Sequence, residues 1–193
     1  MTGMIGWMYI SNVIQSSGSS LVSNQELIKR TFFPRIFIPI SKALSAMLNF
    51  LILFICVFIL MVIYRIAPTG NIIYLPLFIM MAVVTGFGIG VWVCAISIRF
   101  RDLIQAVPIL LRLGMFITPI GYSWREINGM DGWIRFFYFF NPVAGVVESI
   151  RWSILDAYRF HPYIYISFGI SFLLLFTGLK YFEHVEYKMA DLI

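Results

Sequence analysis

The sequence predicts an all-α membrane protein: about five transmembrane helices, one amphipathic helix on the cytoplasmic surface and short re-entrant helices on the outer side. Three observations carry this. Apolar residues make up 61% of the 193 and charged residues only 12%, about half the charged share of a soluble domain, so the chain lacks the polar surface that water demands. Four stretches, 43–64, 72–98, 103–124 and 162–179, hold at most one charge each and approach or exceed the roughly 20 residues a helix needs to cross a bilayer. The remaining Lys and Arg residues fall between the apolar stretches, as they do in membrane loops.

Residues 1–14 are apolar and fade into Gln15-Ser16-Ser17-Gly18-Ser19-Ser20. They read as the end of a fifth span. They carry neither the basic leader nor the small-residue cleavage site of a signal peptide, and the abrupt apolar opening predicts a chain that starts part-way through a longer one. The next segment, 23–35, reads as the amphipathic helix. Ser23 or Asn24 is placed to cap it through a side-chain oxygen, and Glu26 sits near its positive end. Leu27, Ile28, Thr31 and Phe32 share a face and leave Lys29 and Arg30 turned to water. Pro34 stops the helix. Such a helix either anchors a loop at the interface or docks a cytoplasmic partner, with Gln25, Glu26, Lys29 and Arg30 as its polar contacts. Composition favours neither.

Within 72–98, Gly86 and Gly90 form a small-xxx-small pair that lets two helix backbones approach closely. The glycines are not a phosphate cradle: they lie mid-span, and no GxxxxGK[ST] occurs in the chain. Cys56 and Cys94 read as small buried hydrophobes, and no Cys/His cluster has zinc spacing, so no metal site and no cofactor of the chain's own is expected. Arg99, Arg101 and Asp102 separate two spans. Anchoring explains the arginines and helix capping explains Asp102; a contact of Arg101 and Asp102 with a cytoplasmic partner is the second reading. Arg112 lies about 15 Å beyond Asp102 along a helix. If the span starts at Leu103, this cation sits at mid-depth, facing protein or a polar conduit. If it starts near Pro108, Arg112 snorkels to the headgroups. Residues 136–147 are uncharged but too few to span, which favours an interfacial or re-entrant element over a span. Phe136, Phe137, Tyr138, Phe139 and Phe140 offer flat faces to sugar rings or form an interfacial belt.

Orientation follows from the cations. One set of loops holds Lys29, Arg30, Arg35, Lys42, Arg99, Arg101, Lys180 and Lys188, the opposite set Arg65, Arg125, Arg135, Arg151 and Arg159. The bias puts the first set and the C-terminus in the cytoplasm. Trp124, Trp133 and Trp152 then fall at the outer headgroup level. The net charge of +5 is spread among these loops, which argues against a nucleic-acid patch.

Several motifs are familiar in type and order. Asn24, Leu27, Ile28, Lys29, Phe33, Pro34 and Arg35 are followed by Arg101-Asp102, by Met115-Phe116-Ile117-Thr118-Pro119-Ile120, by Asn141-Pro142 with Glu148 and Arg151, and by Ala190-Asp191. Together they resemble ABC-2-type permeases that export cell-surface polysaccharides of the O-antigen, capsule or teichoic acid type. The resemblance covers nearly the whole chain, 1–193, as one transmembrane domain apparently lacking the family's N-terminal helix and first span. Arg112 stands where that family suggests an uncharged polar residue.

The resemblance implies a permease subunit, not an enzyme, in a bacterial inner membrane. Two copies form the conduit, and two cytoplasmic ATPase subunits bind ATP and magnesium and dock on Asn24, Gln25, Glu26, Lys29, Arg30, Pro34, Arg35, Arg101 and Asp102. A lipid-linked glycan would meet Arg112, Phe136, Phe137, Tyr138, Phe140, Glu148 and Arg151. The alternatives are an ABC-2 permease for a drug or small lipid and a membrane-bound glycan-modifying enzyme. The enzyme would need a His or carboxylate cluster, and His161 and His184 fall on opposite sides. A proton-coupled carrier would want acids within its spans, and the four stretches hold none.

Overall fold

The computed structural model describes residues 2–26, 33–67, 69–118, 120–121, 132–155 and 162–190, which are mostly helical with no strand among them. The helices are α1 (Thr2–Gly18), α2 (Ser20–Ser23), α3 (Phe37–Ile63), α4 (Leu75–Arg99) after a 3-10 turn at Gly70–Tyr74, α5 (Leu103–Ile117), α6 (Gly132–Phe140), α7 (Pro142–Leu155) and α8 (Ile164–Ala190). Three runs are long and apolar enough to cross a membrane: Phe37–Ile63, Gly70–Arg99 and Ile164–Tyr187. The all-α membrane class is therefore what the chain adopts.

The boundaries differ from the sequence reading for identifiable reasons. α3 begins at Phe37, not at 43, because Pro39 falls in the first turn, where the missing N–H costs nothing. α5 ends at Ile117, not at 124. Thr118 is extended, at φ −85° and ψ 138°, as a residue before proline must be. Its 15 residues reach only about 22 Å. Cys94 is buried as expected, but Cys56 is exposed, on the outward face of α3 with Ile52, Ile55 and Ile59.

α4 is the central strut, packed between α1 and α8. The glycine pair explains the first contact: a Cβ at Gly86 would lie 3.4 Å from the Ile10 Cα, and one at Gly90 3.1 Å from the Ser17 Cβ. Gly88 serves the other side, where a Cβ would meet the Leu175 backbone nitrogen at 2.9 Å. Polar bonds reinforce that side: Thr85 Oγ1 and Ser171 Oγ are 2.8 Å apart, and Trp92 Nε1 donates to Thr177 Oγ1 at 3.2 Å. Gly88→Leu is expected to destabilise the fold by about 1–3 kcal/mol through overpacking. Gly70→Leu, where nothing lies within 4 Å, should change little. Thermal unfolding of the purified protein in detergent compares the two.

The bundle sorts its ends as the cation pattern requires. At one end Gly18 abuts Val93, Ser20 meets Cys94, Trp92 stacks on Tyr181 and Arg35 meets Glu186. At the other, Gly3 and Gly6 pack on Val147, Thr69 reaches Ile154, and Trp152 lies against Tyr74 and Phe78. Arg35, Arg99, Arg101 and Lys180 thus gather towards one end, and Arg65 and Arg151 towards the other. Lys180 covers the Phe176 ring at 4.5 Å, and α8 runs ten residues further, about 15 Å of helix.

Candidate functional site

Three regions concentrate the polar chemistry. The first is the junction of α5, α6, α7 and α8, where separate sequence motifs meet. Asn141 caps α7: its Oδ1 accepts the Val143 N–H at 3.0 Å, as an N-cap side chain does. Its Nδ2 donates to Thr118 Oγ1 at 3.1 Å. Glu148 is 3% exposed and accepts from Tyr138 Oη and Arg151 Nη1, both at 2.9 Å. Arg151 Nη2 donates to the Ile120 carbonyl at 3.0 Å. Ser167 on α8 donates to the Phe139 carbonyl, and α7 comes so close to α8 that a Cβ on Gly145 would collide with the Ser167 side chain.

These bonds hold α6 and α7, of nine and 14 residues, as a hairpin with its bend at Asn141. Ser167 and Thr118 grip the bend, while Leu155 returns to the end bearing Thr69. Neither helix is long enough to span a bilayer, which accords with the interfacial or re-entrant element expected of residues 136–147. The aromatic run divides across it. Phe136 and Phe140 are exposed, 6.0 Å apart, beside exposed Trp133. Tyr138 is half-buried and Phe139 is core; the Phe137 side chain lies outside the described residues. Tyr138, Glu148 and Arg151 are therefore turned into the fold and engaged with one another, and only Phe136 and Phe140 of the suggested glycan-contacting aromatics are shown facing out.

The second region is the cationic end. The proposed docking helix falls partly outside the described residues, which include neither Lys29 nor Arg30. Asn24 and Ser23 do not cap forwards: Asn24 Nδ2 donates back to the Ser20 carbonyl at 2.7 Å and Ser23 Oγ to that of Ser19 at 2.8 Å, closing α2. Gln25 is half-buried, and Glu26 and Pro34 are exposed. The Arg35 N–H donates to Glu186 Oε1 at 3.0 Å, tying the segment to α8, and its Nη1 is buried with no hydrogen-bond partner among the described residues. Arg101 and Asp102 are exposed. Asp102 occupies the N-cap position of α5 but makes no side-chain cap bond, which removes the capping explanation for its charge.

The third region is a cleft of about 260 Å³ between α1 and α5, lined by Trp7, Ser11, Gln15, Pro108, Leu111, Arg112 and Met115. α5 does begin at Leu103, so Arg112 lies about 14 Å along it. It is exposed and makes no hydrogen bond or ion pair among the described residues. The sequence reading missed Ser11, Asn12 and Gln15, whose signal was there: polar residues recurring at helical spacing in an apolar helix. A second cleft of about 350 Å³ between α1 and α3 shares Ser11 and Gln15 and adds Asn12 and Asn49.

Comparison with known proteins accords with these features. Residues 1–155 match the family described as ABC-2 type transporter. The O-antigen export system permease protein RfbA of Klebsiella pneumoniae is 27% identical over an alignment of 194 positions that covers all of this chain and 74% of the relative. A Myxococcus xanthus protein of the same name is 23% identical, over 99% of this chain and 74% of its own length.

Proposed function

Since the chain belongs to the ABC-2 type transporter family, we infer that it is the membrane-spanning permease subunit of an exporter moving a lipid-linked polysaccharide, driven by a separate ABC ATPase that binds ATP and magnesium. It is a transport subunit and not an enzyme; hydrolysis belongs to the partner. The observation that carries the substrate class is similarity along essentially the whole of this chain to permeases named for O-antigen export. The α6–α7 hairpin supports it, because Thr118 and Asn141 at its bend and Glu148 and Arg151 along α7 are positions that carried the polysaccharide-exporter resemblance.

The finer assignments rest on physical argument. The positive-inside bias supports a cytoplasmic location for the cationic end and with it the α8 C-terminus, and the similarity to bacterial O-antigen permeases supports a bacterial inner membrane. Segment 23–35 with Arg101 and Asp102 forms the ATPase-docking face. The Arg35–Glu186 bond supports this, because it gives ATPase closure a mechanical path into α8. The conduit is shared with a second copy. A mid-depth cation and its polar wall cannot face lipid, and the shallow cleft beside α5 supplies only one side of a passage.

Deleting the gene tests the reading. Surface polysaccharide should disappear while lipid-linked glycan accumulates on the cytoplasmic side, and re-expression of the full-length protein should restore export. Normal surface polysaccharide in the deletion strain would overturn the assignment, and loss of resistance to a small drug instead would favour the drug-permease alternative.

A further inference from the structure

Arg112 is exposed about 14 Å along the apolar α5, without a counter-charge among the described residues, and the cleft it lines is walled by Ser11, Gln15 and Trp7. A membrane helix does not keep a bare guanidinium against hydrocarbon; it turns it to protein, to water or to an anion. The cleft walls supply hydroxyl and amide groups but no carboxylate. Three consequences follow. The cleft is wet, because Ser11 and Gln15 add polar partners to a space large enough for several waters. Its potential is positive, because a cation between low-dielectric walls is poorly screened. The planar fork of five donors suits carboxylate or phosphate oxygens better than neutral hydroxyls.

We propose that the α1–α5 cleft is an anion-recognising station on the export path, in which Arg112 binds a phosphate or uronate group of the passing glycan while Ser11 and Gln15 hold its hydroxyls. This rests on the permease reading and adds to it the substrate class: an acidic rather than a neutral polysaccharide. Arg112 is the specificity-determining residue, and the glycan's anionic groups are the counter-charge that the described residues do not supply.

The test separates the station from the export assignment. In the full-length protein with Cys56 and Cys94 replaced by alanine, a cysteine is placed at Ser11 and the complex with its ATPase is reconstituted in nanodiscs. The thiol is challenged with a sulfonate-bearing and with a quaternary-ammonium-bearing methanethiosulfonate of similar size. The expected result is modification by both, with the anionic reagent faster by roughly tenfold, the low end of charge focusing in a cleft. Arg112→Gln should bring the two rates together, and Arg112→Lys should keep the anion preference. No reaction with either charged reagent, while a membrane-permeant maleimide still reacts, would mean that lipid or another helix covers the face, and would overturn the station. Equal rates with Arg112 intact would overturn it too. In cells, Arg112→Gln at matched abundance should lower export of an acidic polysaccharide several-fold. Undiminished export would reject Arg112 as the specificity determinant while leaving the permease assignment standing.

Discussion

Replacing Arg151 by alanine will destabilise the outer junction by about 3–5 kcal/mol, the cost of leaving a buried carboxylate without its ion partner. Glu148 is almost fully enclosed, and the Arg151 guanidinium binds both its carboxylate and the Ile120 carbonyl. The loss therefore strikes α7 and the end of α5 together. For a chain of this size the melting temperature should fall by roughly 10 °C. Glu148→Gln keeps an acceptor for Tyr138 and should cost less. Joint replacement of Glu148 and Arg151 by leucine and methionine should recover much of the stability, because removing both charges also removes the desolvation cost. Thermal unfolding in one detergent decides this. An alanine variant as stable as the parent would show that the pair is dispensable and that other contacts hold the hairpin.

Replacing Gln25, Glu26, Lys29 and Arg30 together by alanine will release the ATPase from the membrane and reduce export at least tenfold, at unchanged permease abundance. These side chains are the proposed polar contacts of the docking face, and the described part of the segment is tied to the bundle through Arg35 and Glu186. Glu186→Ala should separate docking from transmission: the ATPase remains bound, but export falls because the segment no longer bears on α8. Co-purification of the ATPase beside surface polysaccharide reads both effects. If the ATPase stays with the fourfold variant and export persists, the segment is an interfacial anchor only.

The long spans were legible in the sequence because each is a nearly unbroken apolar run, and hydropathy alone forces such runs into helices in lipid. The glycine contacts of α4 were legible from spacing, although Gly88 serves a different neighbour from Gly86 and Gly90. The α6–α7 hairpin was legible as a stretch too short to span. What sequence could not supply were partners far apart along the chain. Glu148 and Arg151 were glycan contacts only as the resemblance implied; their pairing inside the fold follows from how α7 packs on α1 and α8. Asp102 looked like a cap from its position, yet its carboxylate makes no cap bond. Ser11 and Gln15 were passed over as a fading span end, and they gain meaning only when α5 lays Arg112 beside them.

The most direct measurement is transport by the purified parts. The full-length protein and its ATPase are reconstituted into proteoliposomes carrying the organism's lipid-linked polysaccharide, and glycan crossing the bilayer is followed with an antibody or lectin confined to the far side. The account predicts that signal grows with ATP and magnesium, stops with a non-hydrolysable ATP analogue, and is absent when either protein is omitted. Translocation that proceeds equally without this chain, or none at all from an assembled and ATP-hydrolysing complex supplied with that glycan, would contradict it.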